Sequence, residues 1–181
     1  QICLFHLTNH AFFKALLFLC AGSIIITLEG EQDVRKIGGL AQIIPLTYCA
    51  ILIASFSLIG FPFLSGFYSK DLIIELVFAK LTFSNIIIFI LVNLTALLTS
   101  IYSFRLLYLI FLDDIKKDSK RIENIIEADS YVLFVFRILI FCSIFSGFYL
   151  FLLYLDINNE FIQFLTIKLL TNNLLSELSP N

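Results

Sequence analysis

The sequence contains no methionine and no tryptophan, and charged residues are scarce. Charged side chains make up 14% of the 181 residues, 60% of the residues are hydrophobic, and mean hydropathy is +0.98. Soluble globular domains carry about 25% charged residues, so this composition excludes an ordinary soluble domain and indicates an integral membrane protein. Without tryptophan, tyrosine must serve as the aromatic anchor at the membrane interfaces. Because no initiator methionine is visible, we expect either a trimmed or unusual start or a position of Gln1 inside a longer polypeptide, and no cleavable signal peptide is apparent.

Several functional classes are excluded by what the sequence does not contain. The net charge of −2 argues against nucleic acid as a partner. No two cysteines form a C-x-x-C pair, so we expect four buried, inert thiols: Cys3, Cys20, Cys49 and Cys142. His6 and His10 have the spacing of a shared metal site, but Leu7 stands where a metalloprotease has glutamate and no carboxylate completes the site. With no nucleophilic triad, phosphate loop or dinucleotide fingerprint, we predict that this chain binds no metal or cofactor and has no redox chemistry of its own.

The apolar runs predict an all-α integral membrane protein with about four transmembrane helices, one of them discontinuous, and a C-terminal helical tail. The predicted spans are residues 3–28, a broken span 43–80, 84–112 and 131–155. Residues 113–130 form a charged loop, and residues 156–181 form either a further span, an interfacial helix or a truncated piece.

The second span is predicted to be broken because Gly60, Pro62 and Gly66 lie within seven residues. Glycine and proline at this density make a continuous helix improbable. Beyond the interruption we expect a short helix to about residue 80, with Ser69 as its N-cap and Asp71 near its positive end.

The distribution of basic residues predicts the orientation. If residues 43–80 make one broken crossing, loops 29–42 and 113–130 share a side, and they contain Arg35, Lys36, Lys116, Lys117, Lys120 and Arg121. The opposite side has only Lys80 near a membrane end. The positive-inside rule therefore places both loops on the cytoplasmic or matrix side.

Three basic residues lie within the first span. His6, His10 and Lys14 are four residues apart, so at about 100° per residue they follow one helical stripe. A basic residue near the bilayer centre costs on the order of 2.5–3.5 kcal/mol, and such residues mark ion or proton pathways. We therefore interpret the stripe as a proton path, the alternative being satisfied packing residues.

Lys70 follows the helix interruption directly. Discontinuous membrane helices are places where transporters put ion-handling groups, which predicts a proton-carrying role for Lys70. The alternative is a lysine that extends to the membrane surface. Asp71 is its sequence neighbour, and Glu75 is a weaker candidate for the same path. Arg105 and Arg137 are expected to reach the surface or to pair structurally.

Three segments carry a family resemblance: HLTNHAFFKALLFLCAGSII, EQDVRKIGGL and GFPFLSGFYSKDLIIE. They resemble the chain 5 family of respiratory NADH:ubiquinone oxidoreductase, the most distal antiporter-like membrane subunits. The match covers about residues 1–110, and residues 113–181 match by position and hydropathy only. Sister antiporter-like chains typically carry glutamate where this sequence has Lys70, and multi-subunit cation/proton antiporters share the pattern more loosely.

The resemblance implies the C-terminal portion of an antiporter-like inverted-repeat fold, with residues 1–112 as its membrane segment. His6, His10 and Lys14 match the family's central relay, and Lys70 with Asp71 matches the group near the outlet to the outer side. It also implies a proton-translocating subunit of a mitochondrial NADH:ubiquinone reductase. Electron transfer, with NAD, flavin, iron–sulfur clusters and ubiquinone, belongs to other subunits.

The family's segment before its eleventh helix has no counterpart here, so we expect a split gene product or a partial chain, with a separate polypeptide carrying the N-terminal part. The other expected partners are membrane-arm subunits and lipids. The expected location is the mitochondrial inner membrane, with loops 29–42 and 113–130 on the matrix side. Two alternatives are a subunit of a multi-subunit cation/proton antiporter without redox coupling and a purely structural membrane subunit.

Overall fold

The computed structural model describes residues 2–79, 83–114 and 126–153, and every regular element in these ranges is helical. The elements are α1 (Ile2–Thr27), α2 (Pro45–Ile59), α3 (Ser65–Ala79), α4 (Phe83–Leu107) with a π-helical turn (Tyr108–Leu112), and α5 (Ser130–Leu153). The predicted all-α class is thus confirmed. The predictions for the tail 156–181 and for most of the loop 113–130 lie outside the described residues.

The residues up to Phe148 form one compact unit, and of the second unit, Tyr149–Asn181, the described residues 149–153 form the end of α5. Within the described residues, three helices are long and apolar enough to cross a membrane: Ile2–Thr27, Ile86–Leu112 and Ser130–Leu153. Helices α2 and α3 have 15 residues each. A helix of that length rises only about 22 Å, less than the roughly 30 Å of a hydrocarbon core, so neither is long enough to cross a bilayer alone.

The interruption between α2 and α3 is built on Gly60. Its backbone is left-handed (φ 92°), and its N–H donates to the Phe56 carbonyl at 3.1 Å. This is the usual way in which glycine ends a helix, and Pro62 then prevents its continuation. Helix α3 begins at Ser65, so the prediction that Ser69 is its N-cap is wrong: Ser69 lies one turn inside the helix.

Close helix packing around the interruption depends on two glycines. A Cβ atom at Gly66 would collide with the backbone carbonyl of Ser57, and one at Gly147 would collide with the backbone of Ser65. Glycine therefore lets α3 approach α2 on one side and α5 on another. Small residues serve this purpose at helix crossings in membranes, where close van der Waals packing drives association.

One end of the helix bundle gathers the polar loops. The N–H groups of Leu40 and Ala41 donate to the carbonyls of Ile110 (3.3 Å) and Phe111 (3.4 Å) in the π-helical turn. Carbonyls at the end of a helix lack intrahelical partners, and here the loop between α1 and α2 supplies two N–H donors for them. Residues 29–42 and the start of the loop 113–130 therefore lie at the same end.

The last part of the charged loop also returns to that end. The carboxylate of Glu127 accepts hydrogen bonds from the N–H groups of Leu46 (2.7 Å) and Thr47 (3.3 Å) in the first turn of α2. A carboxylate at a helix N-terminus satisfies free amides and complements the helix dipole. Glu127 thus caps α2 from a position 81 residues away in sequence.

The buried core is apolar and lies between α1, α2, the π-helical turn and α5. Its most completely buried large members are Phe13, Leu16, Phe111 and Phe136. Cys20 belongs to this core and Cys142 is partly buried, whereas Cys3 and Cys49 are exposed, so the prediction of four buried thiols is wrong for Cys3 and Cys49. They occupy outward faces of α1 and α2, among exposed apolar side chains such as Leu4 and Leu46.

Candidate functional site

The helical pitch of α1 holds its basic residues one turn apart. The ring centroids of His6 and His10 are 5.8 Å apart, and those of His10 and Phe13 are 5.1 Å apart with the two rings nearly perpendicular. A gap of this size between two imidazoles can be bridged by one water molecule. The two histidines of the predicted stripe therefore form a closely spaced pair.

Helices α1, α3 and α4, with Ser57 and Leu58 of α2, line a cavity of about 280 Å³ beside this pair. His6 and His10 line it from α1, Lys70 lines it from α3, and Thr95 and Thr99 line it from α4. Both threonine hydroxyls donate to carbonyls of their own helix, which leaves oxygen lone pairs available to the cavity. The histidine pair and the lysine of the interrupted span therefore meet in one space.

Lys70 is held by the end of α2. Its Nζ donates to the carbonyl of Ile59 at 3.0 Å, and Ile59 is the last residue of that helix. Gly60 has no side chain to crowd the methylene stem of Lys70, which passes beside it. A carbonyl freed by the interruption and the negative end of the α2 dipole both favour a cation here.

Ser69 joins α1 to α3, a role that sequence reasoning missed. Its Oγ lies 2.9 Å from His6 Nδ1, and the serine is fully buried. Asn9 was also missed: it is buried on α1, and its Oδ1 accepts a hydrogen bond from Ser146 of α5 at 3.0 Å. No spacing rule identifies either residue, since the partners are 63 and 137 residues away in sequence.

Lys14 lines a second cavity of about 260 Å³, next to the first. Its Nζ lies 5.3 Å from the centre of the Phe18 ring, within the range of a cation–π contact. Leu58 borders both cavities, while Glu31 and Gln32 border the second at the loop end of the bundle. Lys14 thus lies on the loop side of the histidine pair.

Glu31 provides a negative charge at the mouth of this second cavity. Hydrogen bonding to the backbone N–H of Asp33, followed by the nearby Lys36 ammonium at 3.3 Å, lowers the pKa of the Glu31 carboxyl. The carboxylate therefore remains ionised at neutral pH. A fixed negative charge beside an opening raises the local concentration of cations, protons included.

The remaining predicted polar residues lie away from the histidine–lysine cavity. Asp71 and Glu75 are not among its lining residues, although Asp71 interacts electrostatically with both Lys70 and Glu75. Arg105 and Arg137 have exposed side chains. Arg105 borders a further cavity with Gln32 and Asp33 at the loop end.

The site has the chemistry of proton transfer. Imidazole and amine groups accept and release protons, and hydroxyl groups relay hydrogen bonds between them. Buried polar atoms near the interruption, in Asn9, Ser65 and Ser143, have no hydrogen-bond partner among the described residues. Such atoms are normally satisfied by internal water, so a hydrated interior fits this region.

Comparison with known proteins adds an independent result. Residues 1–99 match the family model described as NADH:quinone oxidoreductase/Mrp antiporter, transmembrane. The Acanthamoeba castellanii protein named NADH-ubiquinone oxidoreductase chain 5 is 47% identical over 158 residues, which is 87% of this chain and 23% of that protein. The Arabidopsis thaliana protein of the same name is 61% identical over 112 residues, 62% of this chain and 17% of that protein.

The chain therefore spans about a quarter or less of the length of these relatives. The Marchantia polymorpha protein of the same name is likewise 49% identical over 148 residues, 82% of this chain and 22% of that protein. The resemblance noted in the sequence is confirmed, and it extends further than the motifs alone suggested. A match over 158 residues reaches beyond position 110.

Proposed function

This chain belongs to the NADH:quinone oxidoreductase/Mrp antiporter transmembrane family, and from that premise we propose that it is a proton-translocating part of the membrane arm of a mitochondrial NADH:ubiquinone oxidoreductase. Other subunits carry out electron transfer and hold NAD, flavin, iron–sulfur clusters and ubiquinone. The observation that carries the proposal is the cavity in which His6, His10 and Lys70 meet at the interruption of a membrane crossing.

In the proposed route a proton passes from Lys14 to His10, then to His6, and from there to Lys70. The order follows from the two cavities: Lys14 lies on the loop side, and Lys70 shares the deeper cavity with both histidines. His6 is within electrostatic reach of His10 and of Lys70. Because neighbouring positive charges repel, a proton that arrives at one group promotes release from the next. Asp71, which interacts electrostatically with Lys70, would then assist release at the outlet.

A relay of this kind suits transport against a membrane potential. Each charge moved costs about 2.3 kcal/mol per 100 mV. Several groups placed along the path divide that cost into smaller steps, so no single transfer must overcome the whole of it. Electron transfer elsewhere in the enzyme would supply the energy, and this chain would supply the path.

We place the chain as a multi-pass protein in the mitochondrial inner membrane, with loops 29–42 and 113–130 on the matrix side. The packing of Leu40 and Ala41 against the π-helical turn supports a shared side for both loops. The basic residues of the two loops support the matrix side. Glu31 and Gln32 then border an entrance for protons taken up from the matrix.

The partners in this proposal are the other subunits of the membrane arm, membrane lipids and the remainder of the antiporter-like unit. Large apolar side chains on α1, such as Leu4 (66% exposed) and Phe18 (68% exposed), provide apolar surface for such contacts. Exposed apolar side chains elsewhere on the helices suit contact with lipid.

Purification of the intact assembly through a tag on this chain tests the proposal. We expect flavin-containing and iron–sulfur subunits to co-purify, and NADH oxidation by ubiquinone to drive proton uptake into vesicles that contain the assembly. Omission of ubiquinone is the control, since it stops electron transfer without changing the membrane. An assembly that lacks redox subunits and exchanges cations for protons would instead identify an antiporter, and the proposal would be wrong.

A further inference from the structure

We propose that Ser69 is a positioning residue for His6, whose hydroxyl oxygen accepts the Nδ1–H hydrogen bond and so leaves Nε2 as the nitrogen that exchanges protons with the cavity. This inference rests on the proposed proton relay and deepens it. It assigns a role to a buried hydroxyl outside the His/Lys pattern of the sequence.

The contact is specific in its geometry. His6 Nδ1 and Ser69 Oγ are 2.9 Å apart, an ordinary hydrogen-bond distance, and Ser69 is 0% exposed. Bulk water therefore does not compete with His6 for the hydrogen bond to the Ser69 hydroxyl. The bond also joins two helices, α1 and α3, that carry the two halves of the relay.

The direction of the hydrogen bond follows from where the hydroxyl proton goes. Ser69 Oγ donates to the carbonyl of Gly66 one turn earlier, at 3.4 Å. In the proposed arrangement the hydroxyl proton is directed there, so the oxygen presents lone pairs to His6 and Nδ1 is the donor. Back-bonding of this kind to the preceding turn is common for serine inside a helix.

The tautomer of His6 then determines its chemistry. A neutral imidazole has one donor nitrogen and one acceptor nitrogen. The nitrogen whose hydrogen bond requires a donor keeps the proton, and the other nitrogen becomes the acceptor. With Nδ1–H held by Ser69, Nε2 is the acceptor. His6 lines the cavity with His10 and Lys70, so Nε2 takes up a proton from the His10 side and releases it towards Lys70, while the Nδ1–H bond persists.

Ser69 and Lys70 are consecutive residues, so one turn of α3 carries both the residue that positions His6 and the lysine of the relay. Ser69 orients His6, and Lys70 is anchored to the Ile59 carbonyl across the interruption. A shift of α3 relative to α1 would disturb the two contacts together.

Replacement of Ser69 in the assembled enzyme tests this role. We expect Ser69→Ala to lower electron-driven proton pumping about fivefold, since one buried hydrogen bond and a defined tautomer are lost. Ser69→Thr keeps the hydroxyl and should retain most of the activity. Ser23→Ala is the matched control: Ser23 is also a buried serine, but it bonds only the Cys20 carbonyl of its own helix at 2.8 Å, so pumping should be unchanged.

A double-mutant cycle separates positioning from packing. In a His6→Ala background, addition of Ser69→Ala should have no further effect on pumping, because Ser69 acts through His6. A further loss in that background, or a Ser69→Thr variant as impaired as Ser69→Ala, would overturn the inference. Wild-type pumping by His6→Ala would instead refute the proposed relay itself. If pumping is impaired in the His6→Ala enzyme but normal in the Ser69→Ala enzyme, the relay stands and only the role of Ser69 is refuted.

Discussion

Lys70→Ala is expected to lower electron-driven proton pumping by about tenfold or more while the enzyme assembles normally. The amine lines the cavity with both histidines, and its hydrogen bond to Ile59 spans the helix interruption. Loss of the amine removes the last proton acceptor before the proposed outlet. Alanine is smaller than lysine and introduces no clash, so assembly should be spared. The measurement is the proton-to-electron ratio of membrane vesicles, normalised to the amount of assembled enzyme.

Two further variants separate proton release from charge. Lys70→Arg keeps a positive charge, but a guanidinium does not release its proton at physiological pH, so pumping should be lost as in Lys70→Ala. Lys36→Arg is the control substitution, because Lys36 lies in the loop at the opposite end of α1, is largely exposed, and an arginine there still places a cation beside Glu31. Its pumping should equal that of the wild type. Normal pumping by assembled Lys70→Ala enzyme would show that Lys70 is not part of the path.

The second large effect concerns the fold rather than the relay. Gly66→Ala should destabilise the protein by about 3 kcal/mol, because the new methyl group would collide with the Ser57 carbonyl of α2. The colliding atom belongs to the backbone of a packed helix, so it cannot move aside as a flexible side chain would. We expect less of the subunit in the membrane and a lower thermal unfolding midpoint for what remains.

Gly22→Ala is the matched control for that variant. Gly22 lies inside α1, and apart from its chain neighbours and the backbone of its own helix a Cβ atom there would meet no heavy atom of the described residues within 4 Å. Alanine favours a helix by about 0.5–1 kcal/mol over glycine, so this variant should be as stable as the wild type or slightly more so. Equal stability of the Gly66→Ala and Gly22→Ala proteins would contradict the close approach of α2 and α3.

Much of the architecture was predictable because strong local rules determine it. Long apolar runs indicate membrane helices, and Gly60 with Pro62 indicates the interruption, since a left-handed glycine and a proline each end a helix by backbone geometry alone. The four-residue spacing of His6 and His10 likewise predicts a shared helical face. Each of these inferences needs only residues that are close in sequence.

The features that sequence reasoning missed depend on contacts between distant residues. The bond from His6 to Ser69 joins residues 63 apart, and the Glu127 cap of α2 joins residues 81 apart. Helix packing decides both. The start of α3 was misplaced for a local reason: serine is a favourable N-cap, and both Ser65 and Ser69 precede an apolar run.

The placement of Lys14 illustrates the same limit. Its spacing puts it on the stripe of His6 and His10, yet it lines a separate cavity with Glu31. Helical periodicity determines the direction in which a side chain leaves its helix, whereas the neighbouring helices decide which cavity it enters. A side chain as long as lysine can also bend towards a ring such as that of Phe18.

Water in the histidine–lysine cavity is the most direct test of the whole account. A map of the assembled enzyme at a resolution that shows ordered water should contain water molecules in the space of about 280 Å³ between α1, α3 and α4, in contact with His6, His10 and Lys70. Such water would connect the three groups. If that space instead holds a lipid chain or an apolar side chain and no water, the three groups are isolated from one another and the proton-relay account is wrong.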